Sequence, residues 1–424
     1  MKPTLRRFLR WFLGLTVLAL VSAYVALSGD DKITDLSDLV PTRSDCAANQ
    51  NGYPVIASDL TKLPAFSHME RTELEELLKT GDWQADEIAD LLEASTSVPS
   101  LIDAALKAPC FQAAPLLSYE QSAKAYLDVR SLKILTHLRA MNLVRAGKAD
   151  EAALLLDSLG RLGHRIEYAE AGIMDYVFAQ SVRYAAISEI GRLAAKESLS
   201  PETLAMLRRS PTLAHYDESP LKHSIKIEFS LFSRQIDQAA SSYLPRSNPV
   251  RDDLAFEIVR WLPLSLKPKR TKTIQAEFVR ECLMLAGTDQ RTVAASDLND
   301  QFFPRFKGSI SPDNIIGRAY LSMLTPTWLP LINQRFRIQS QISATQALLA
   351  VRAYQHDHDG ELPPTLDALV PDYLPTVPLD YYDREPIRYS REFRAIWSLG
   401  RNGEYTVTSA DQPIDDREVD LRLP

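Results

Sequence analysis

The sequence predicts a mainly α-helical protein, a helical bundle or irregular α-solenoid, with an N-terminal transmembrane helix and a small C-terminal α+β module. Three observations predict it. Residues 11–29 form an apolar run without a charge. From Thr72 to about residue 325, Leu, Ile and Ala recur at three- and four-residue steps, the period of a buried helix face. Alternation of strand type occurs only near the C-terminus, at Ile387 and Tyr389 and at Ala395, Trp397 and Leu399. The same patterns divide the chain into a basic tail (1–10), an anchor (11–29), a linker (30–64), a helical domain (65–325) and a C-terminal module (326–424).

The anchor follows from length and charge. As a helix, residues 11–29 extend roughly 28 Å, about one hydrocarbon core. Lys2, Arg6, Arg7 and Arg10 precede the run and acids follow it, which places the N-terminus in the cytoplasm and the body across the membrane. Val21-Ser-Ala23 would suit signal cleavage. The uncleaved anchor is preferred because the apolar run continues through Leu27.

The linker is marked by Asp residues, by Asn51-Gly52 and by Pro41, Pro54 and Pro64. In the helical domain, Gly147 ends one helix, Lys148 or Asp150 opens the next, and Ala152 supplies a small residue for close packing. This turn resembles a tetratricopeptide-type hairpin. Ser200-Pro201 starts a helix with an N-cap serine and a proline in the first turn. Further helices are expected over Leu221 to Ser241 and from Ser311 to about Thr325. Leu331 to Tyr354 reads as one long amphipathic helix, with Ala347, Val351 and Tyr354 on a shared face.

In the C-terminal module, Asp359-Gly360 ends the long helix and Pro363-Pro364 prevents its resumption. Thr365 to Val370 forms a short second helix, and Asn402-Gly403 is a hairpin-turn dipeptide. Together with Val377-Pro-Leu-Asp380, Pro386-Ile-Arg-Tyr389 and Trp397-Ser-Leu-Gly400, this order resembles the periplasmic domain of the major pseudopilin of type II secretion systems. The resemblance implies a spine helix with a small antiparallel sheet folded back on it, and an exported location. Two departures stand out. The family's spine is itself the anchor, whereas here the anchor lies some three hundred residues upstream. The family's Gly-rich acidic calcium loop is replaced by Tyr405 to Asp411 and Asp415-Asp416, so Asp411, Asp415, Asp416 and Asp420 are the candidate calcium ligands. A solvated acidic tail is the alternative. The whole arrangement, with Asn314 and Gly317 ahead of the long helix, also resembles a set of bacterial membrane-anchored proteins of unknown function.

Composition limits the function. The chain has 424 residues, more than one ordinary core takes, so two or more packed units are expected. Its net charge is −7, and because residues 1–29 hold four bases and no acid, the remainder carries −11. Nucleic-acid binding needs a basic footprint and is excluded as a partner class. Cys46 and Cys110 form a disulfide in an oxidising compartment, or all three cysteines are buried thiols. His356-Asp-His-Asp359 is the most ligand-like cluster, but residues two apart on a helix face opposite sides, which favours a polar helix end. Lys267-Pro-Lys-Arg-Thr-Lys272 is a basic run suited to anionic headgroups or to a solvated helix start. No nucleophile elbow or phosphate loop is present. Calcium apart, no cofactor is implied. The expectation is a periplasm-facing, inner-membrane binding or scaffold protein with protein partners in the envelope, accessory to type II secretion or another envelope assembly. The alternative is a periplasmic hydrolase with catalytic carboxylates in the helical domain.

Overall fold

Helices dominate the computed structural model, which describes Thr16 and residues 29–64 (without 33), 88–115, 129–214, 217–242, 266–302 (without 299 and 300), 314–324, 328–409 (without 402) and 419–423. They are α1 Tyr53–Leu60, α2 Ala89–Ser95, α3 Val98–Leu106, α4 Arg130–Arg145, α5 Ala149–Glu167 and α6 Ile173–Lys196. Then come α7 Pro201–Arg208, α8 Ser219–Ser242, α9 Pro268–Leu285, α10 Gln290–Ala294, α11 Ile315–Leu324 and α12 Trp328–Asp357. Strands β1 Arg388–Ser390, β2 Ala395–Trp397 and β3 Asp420–Arg422 form an antiparallel sheet in the order β1-β2-β3. No described helix is long and apolar enough to cross a membrane, and the expected anchor lies, apart from Thr16 and Gly29, outside the described residues.

The chain forms two compact units, each discontinuous in sequence. One draws on Met1–Val40, Phe229–Cys282 and Ser296–Trp328; the other draws on Pro41–Glu228, Leu283–Ala295 and Leu329–Pro424.

In the first unit, the segment after the apolar run is tied to α9. Asp30 accepts from the backbone N–H groups of Lys269 (2.8 Å) and Arg270 (3.1 Å), which are orphan donors of the first helical turn. Asp31 pairs with the Arg270 side chain at 2.9 Å, and Asp38 with Arg280 at 2.7 Å. The Asn314/Gly317 step has a physical reason here. Asn314 Oδ1 accepts from Lys267 N at 2.8 Å, and a Cβ on Gly317 would collide with Thr271 and Asn314.

In the second unit, α5 packs against α6, and α4 packs against both. The turn between α4 and α5 closes as expected. Gly147 adopts φ +72°, Lys148 N donates to Leu143 O and Gly147 N donates to Val144 O, both at 2.9 Å, which is a Schellman close. Ala152 is fully buried. Close approach of α5 to α6 depends on Gly163, where a Cβ would lie 3.0 Å from Arg183 N and 3.1 Å from Ala179 O. Arg183, itself buried, donates to Glu167 Oε2 (3.0 Å), Thr212 O (3.1 Å) and Ala214 O (2.8 Å), joining α6 to α5 and to the 3₁₀ turn Pro211–Leu213. The Ser200 hydroxyl caps α7 by accepting from Thr203 N.

Residues 41–64, expected as linker, are fastened to this unit. Cys46 and Cys110 are disulfide-bonded. Asn51 exchanges side-chain hydrogen bonds with the Gln112 backbone, and Glu170 accepts from Ser44 N and from Gln112 Nε2, both at 2.8 Å. The breakers that suggested a linker instead bound short elements: Asn51 follows the 3₁₀ turn Ala48–Gln50, and Gly52 and Pro54 open α1.

The C-terminal module shares the core of the second unit. Ile342, Ala344, Ala347, Leu348, Ala350 and Val351 are all buried, as are Ser340, Ser343 and Thr345 on other faces. Instead of the expected amphipathic helix, α12 is a central helix enclosed nearly all round, its small polar residues serving as packing positions. Leu421 of β3 and Ile396 of β2 join Leu156, Ile187 and Val351 in one apolar cluster. Asp359 (φ +51°) and Gly360 (φ +85°) end the helix, with Gly360 N donating to Gln355 O at 2.7 Å. The short second helix is a 3₁₀ turn, Leu366–Leu369. Strands β1 and β2 are joined through Arg391–Arg394, with Arg394 at φ +48°, and not by Asn402-Gly403, which follows β2.

The module is organised by Asp380. Its buried carboxylate accepts from Ser340 Oγ of α12 and Ser398 Oγ after β2, both at 2.9 Å, and from Leu399 N at 2.8 Å. Arg388 of β1 supplies the countercharge at 2.7 Å.

Candidate functional site

Of the four candidate calcium ligands, Asp411, Asp415 and Asp416 lie outside the described residues. Asp420 is buried in β3, where Oδ2 accepts from Tyr405 Oη and from Arg422 Nη2, each at 2.7 Å. That oxygen is already engaged by a cation. Among the described residues, no group of three or more His, Cys, Asp or Glu side chains is placed to hold a metal ion.

His356-Asp-His-Asp359 forms a polar helix end. His358 Nδ1 lies 2.9 Å from Tyr354 O, so it carries the proton there, and its ring stacks on Tyr354 at 3.8 Å. Asp357 accepts from Tyr373 Oη at 2.8 Å. The basic run 267–272 is a helix start, two of whose charges meet protein acids: Arg270 meets Asp31, and Lys272 meets Asp237 at 2.6 Å.

The site with the most chemistry is a cleft of about 270 Å³ in the second unit, formed by α4, α5, α6 and α12. Its floor is apolar: Ile134 from α4, Leu156 and Leu159 from α5, and Ala186 from α6. These positions follow from the helical period that buries Leu135, Leu156, Leu159 and Ile187 in the core. Its rim is charged. Lys133 and His137 are one turn apart on α4, Glu189 and Arg192 one turn apart on α6, and Arg337 comes from α12. Ser181 and Tyr184 add hydroxyl groups.

Glu189 holds the rim together. It lies 3.3 Å from His137 Nε2 and 2.8 Å from Arg192 Nη1. Burial pushes its carboxyl up, but the hydrogen bond and charge of His137, with Arg192 and Lys196, outweigh burial and hold it below the usual carboxylate range. Arg337 lies over the Tyr184 ring, 4.8 Å from its centroid, which fixes the guanidinium plane at the cleft. Among the described residues of the lining, Lys133, Arg192 and Arg337 are the permanent cations and Glu189 is the carboxylate.

Such a site can bind and orient. A two-carboxylate hydrolase needs a second acid opposite the first. Among the described residues that line the cleft, Glu189 is the single acid, and its ionised form is the favoured one. The sequence singles out none of the five rim residues. The Glu189-Arg192 spacing is a local signal, but it is shared with many solvated helix pairs.

The chain matches no family model, no curated protein and no solved structure.

Proposed function

We propose that this chain is a single-pass protein of the bacterial inner membrane, N-terminus in the cytoplasm and body in the periplasm, that binds or scaffolds protein partners of the envelope. Its specific role is accessory to type II secretion or a related assembly. The observation that carries this reading is the build of the C-terminal end: a long helix, a 3₁₀ turn and a three-stranded antiparallel sheet, in the order expected of a pseudopilin-like module.

Two features support it. The Cys46–Cys110 disulfide suits an oxidising compartment beyond the membrane. Among the described residues β1 and β3 are the outer strands of the sheet, the element by which an extended partner segment adds to a sheet. Binding is preferred to hydrolysis because Glu189, the described acid of the cleft, is engaged by His137 and Arg192.

Crosslinking in intact cells, followed by purification of the full chain from membranes, tests the proposal. Recovery of secretion or pilus components is expected. Recovery of none of them contradicts the accessory role.

A further inference from the structure

We propose, on the membrane-anchor reading above, that the first turn of α9 sits in the phospholipid headgroup layer on the periplasmic side, held there by residues 30–38 acting as a strap.

Distance along the chain is the first reason. Asp30 is the first residue after the apolar run 11–29. One residue extends the chain by at most about 3.6 Å. A bilayer of about 40–45 Å with its headgroups, around a core of about 30 Å, leaves roughly 5–7 Å of headgroup region on each side. Asp30 therefore stands within that layer when the run spans the core. Its carboxylate accepts from Lys269 N at 2.8 Å and from Arg270 N at 3.1 Å, so the first turn of α9 stands there too.

The strap is the second reason. Asp30 answers two orphan N–H donors, and its negative charge suits the positive end of a helix. Asp31 pairs with Arg270 at 2.9 Å, and Thr34 Oγ1 lies 3.0 Å from Thr273 Oγ1. Arg280 Nη2 donates to Asp35 O and to Asp38 Oδ1, each at 2.7 Å. These contacts advance together along both segments, so the strap runs beside α9 in the same direction. A flexible linker would let the first unit stand off from the membrane. Fastened from Asp30 to Asp38, the unit stays at the surface, where its envelope partners must reach it.

Charge decides the kind of contact. Within the basic run, Arg270 meets Asp31 and Lys272 meets Asp237. Covalent nearness to the anchor, and not attraction to anionic lipid, therefore sets the position of this turn. The Lys269 side chain is exposed, and Asp30 uses only its backbone, so position 269 can carry a probe without disturbing the strap.

Fluorophore labels on single added cysteines, quenched by headgroup spin-labelled lipid, test this on the full chain in phosphatidylcholine nanodiscs. One label is placed by Gly29→Cys, at the end of the apolar run, and one by Lys269→Cys. The unreduced native chain offers no competing thiol, because Cys46 and Cys110 are paired and Cys282 is buried. Quenching at position 269 should reach at least half that at position 29. Asp30→Ala combined with Asp31→Ala should lower it about twofold or more, as two orphan donors lose their acceptor, while quenching at position 29 persists. Added phosphatidylglycerol should change neither value. Quenching at position 29 without quenching at 269 overturns the lipid contact and leaves the anchor standing; quenching at neither overturns both. Quenching at 269 that appears only with phosphatidylglycerol, or that the double variant leaves intact, overturns the role of the strap. Circular dichroism checks the double variant, and should it not fold, the two labels in the otherwise native chain decide the contact by themselves.

Discussion

The buried carboxylate of Asp380 lies 2.7 Å from Nη1 of Arg388, and the same carboxylate receives the hydroxyls of Ser340 and Ser398. One side chain thus joins α12, β1 and the end of β2. Removing Arg388 would leave a buried charge without its countercharge. Arg388→Met is expected to cost about 3–5 kcal/mol. Asp380→Leu combined with Arg388→Met should recover part of that loss, because no charge is then buried. Chemical denaturation of the two variants checks this, and a double variant no more stable than the single one would contradict the role of the pair.

Helix α5 meets α6 at Gly163, 3.0 Å in prospect from a backbone nitrogen. In an exposed helix, alanine would gain about 1 kcal/mol over glycine. Here the backbone must move, so Gly163→Ala is expected to lose about 1–2 kcal/mol net. A urea midpoint that rises would show that the helices are not closely apposed.

The expected helix signals were legible where they are local and chemical. Gly147 takes the left-handed position, Ser200 caps α7, and the alternation at Ala395 to Trp397 is a strand. Asn402-Gly403 marked a turn but could not say which strands it joins; Arg394 and the Ser390 hydroxyl, which accepts from Phe393 N, close β1 to β2 instead. The enclosure of α12 was hidden because Ser340, Ser343 and Thr345 read as a polar face, although small side chains of this kind pack as readily as alanine. The cleft was least legible. Its charges come from residues 133, 189, 192 and 337, which only the packing of separate helices brings together.

The Cys46–Cys110 bridge closes a loop over a separation of 64 residues. Reduction, or Cys46→Ser, should lower stability by about 2–4 kcal/mol. Cys282 is buried, and burial pushes its thiol up, so a thiol reagent should reach it only on unfolding. Two rapidly titrating thiols in the unreduced native protein would contradict the pairing.

Burial raises the Tyr168, Tyr373 and Tyr389 phenols to about 12, and in Tyr373 the bond to Asp357 adds to the effect. Because the folded values lie above the ordinary 10, their contribution to stability is fully present below pH 10 and is lost as pH rises through 12. Phenolate absorbance of the native protein should therefore show a late alkaline step, diminished in Tyr168→Phe, Tyr373→Phe and Tyr389→Phe. Complete ionisation at the ordinary value would contradict it.

The proposed topology, a disulfide-bonded body facing the periplasm from a membrane anchor, is tested most directly by protease treatment of spheroplasts, with the chain detected by an antibody to its C-terminal module. The chain is expected to sediment with membranes after alkaline carbonate washing, and protease added outside the inner membrane to remove the module. A chain released by carbonate, or a module protected until the inner membrane is lysed, would contradict it.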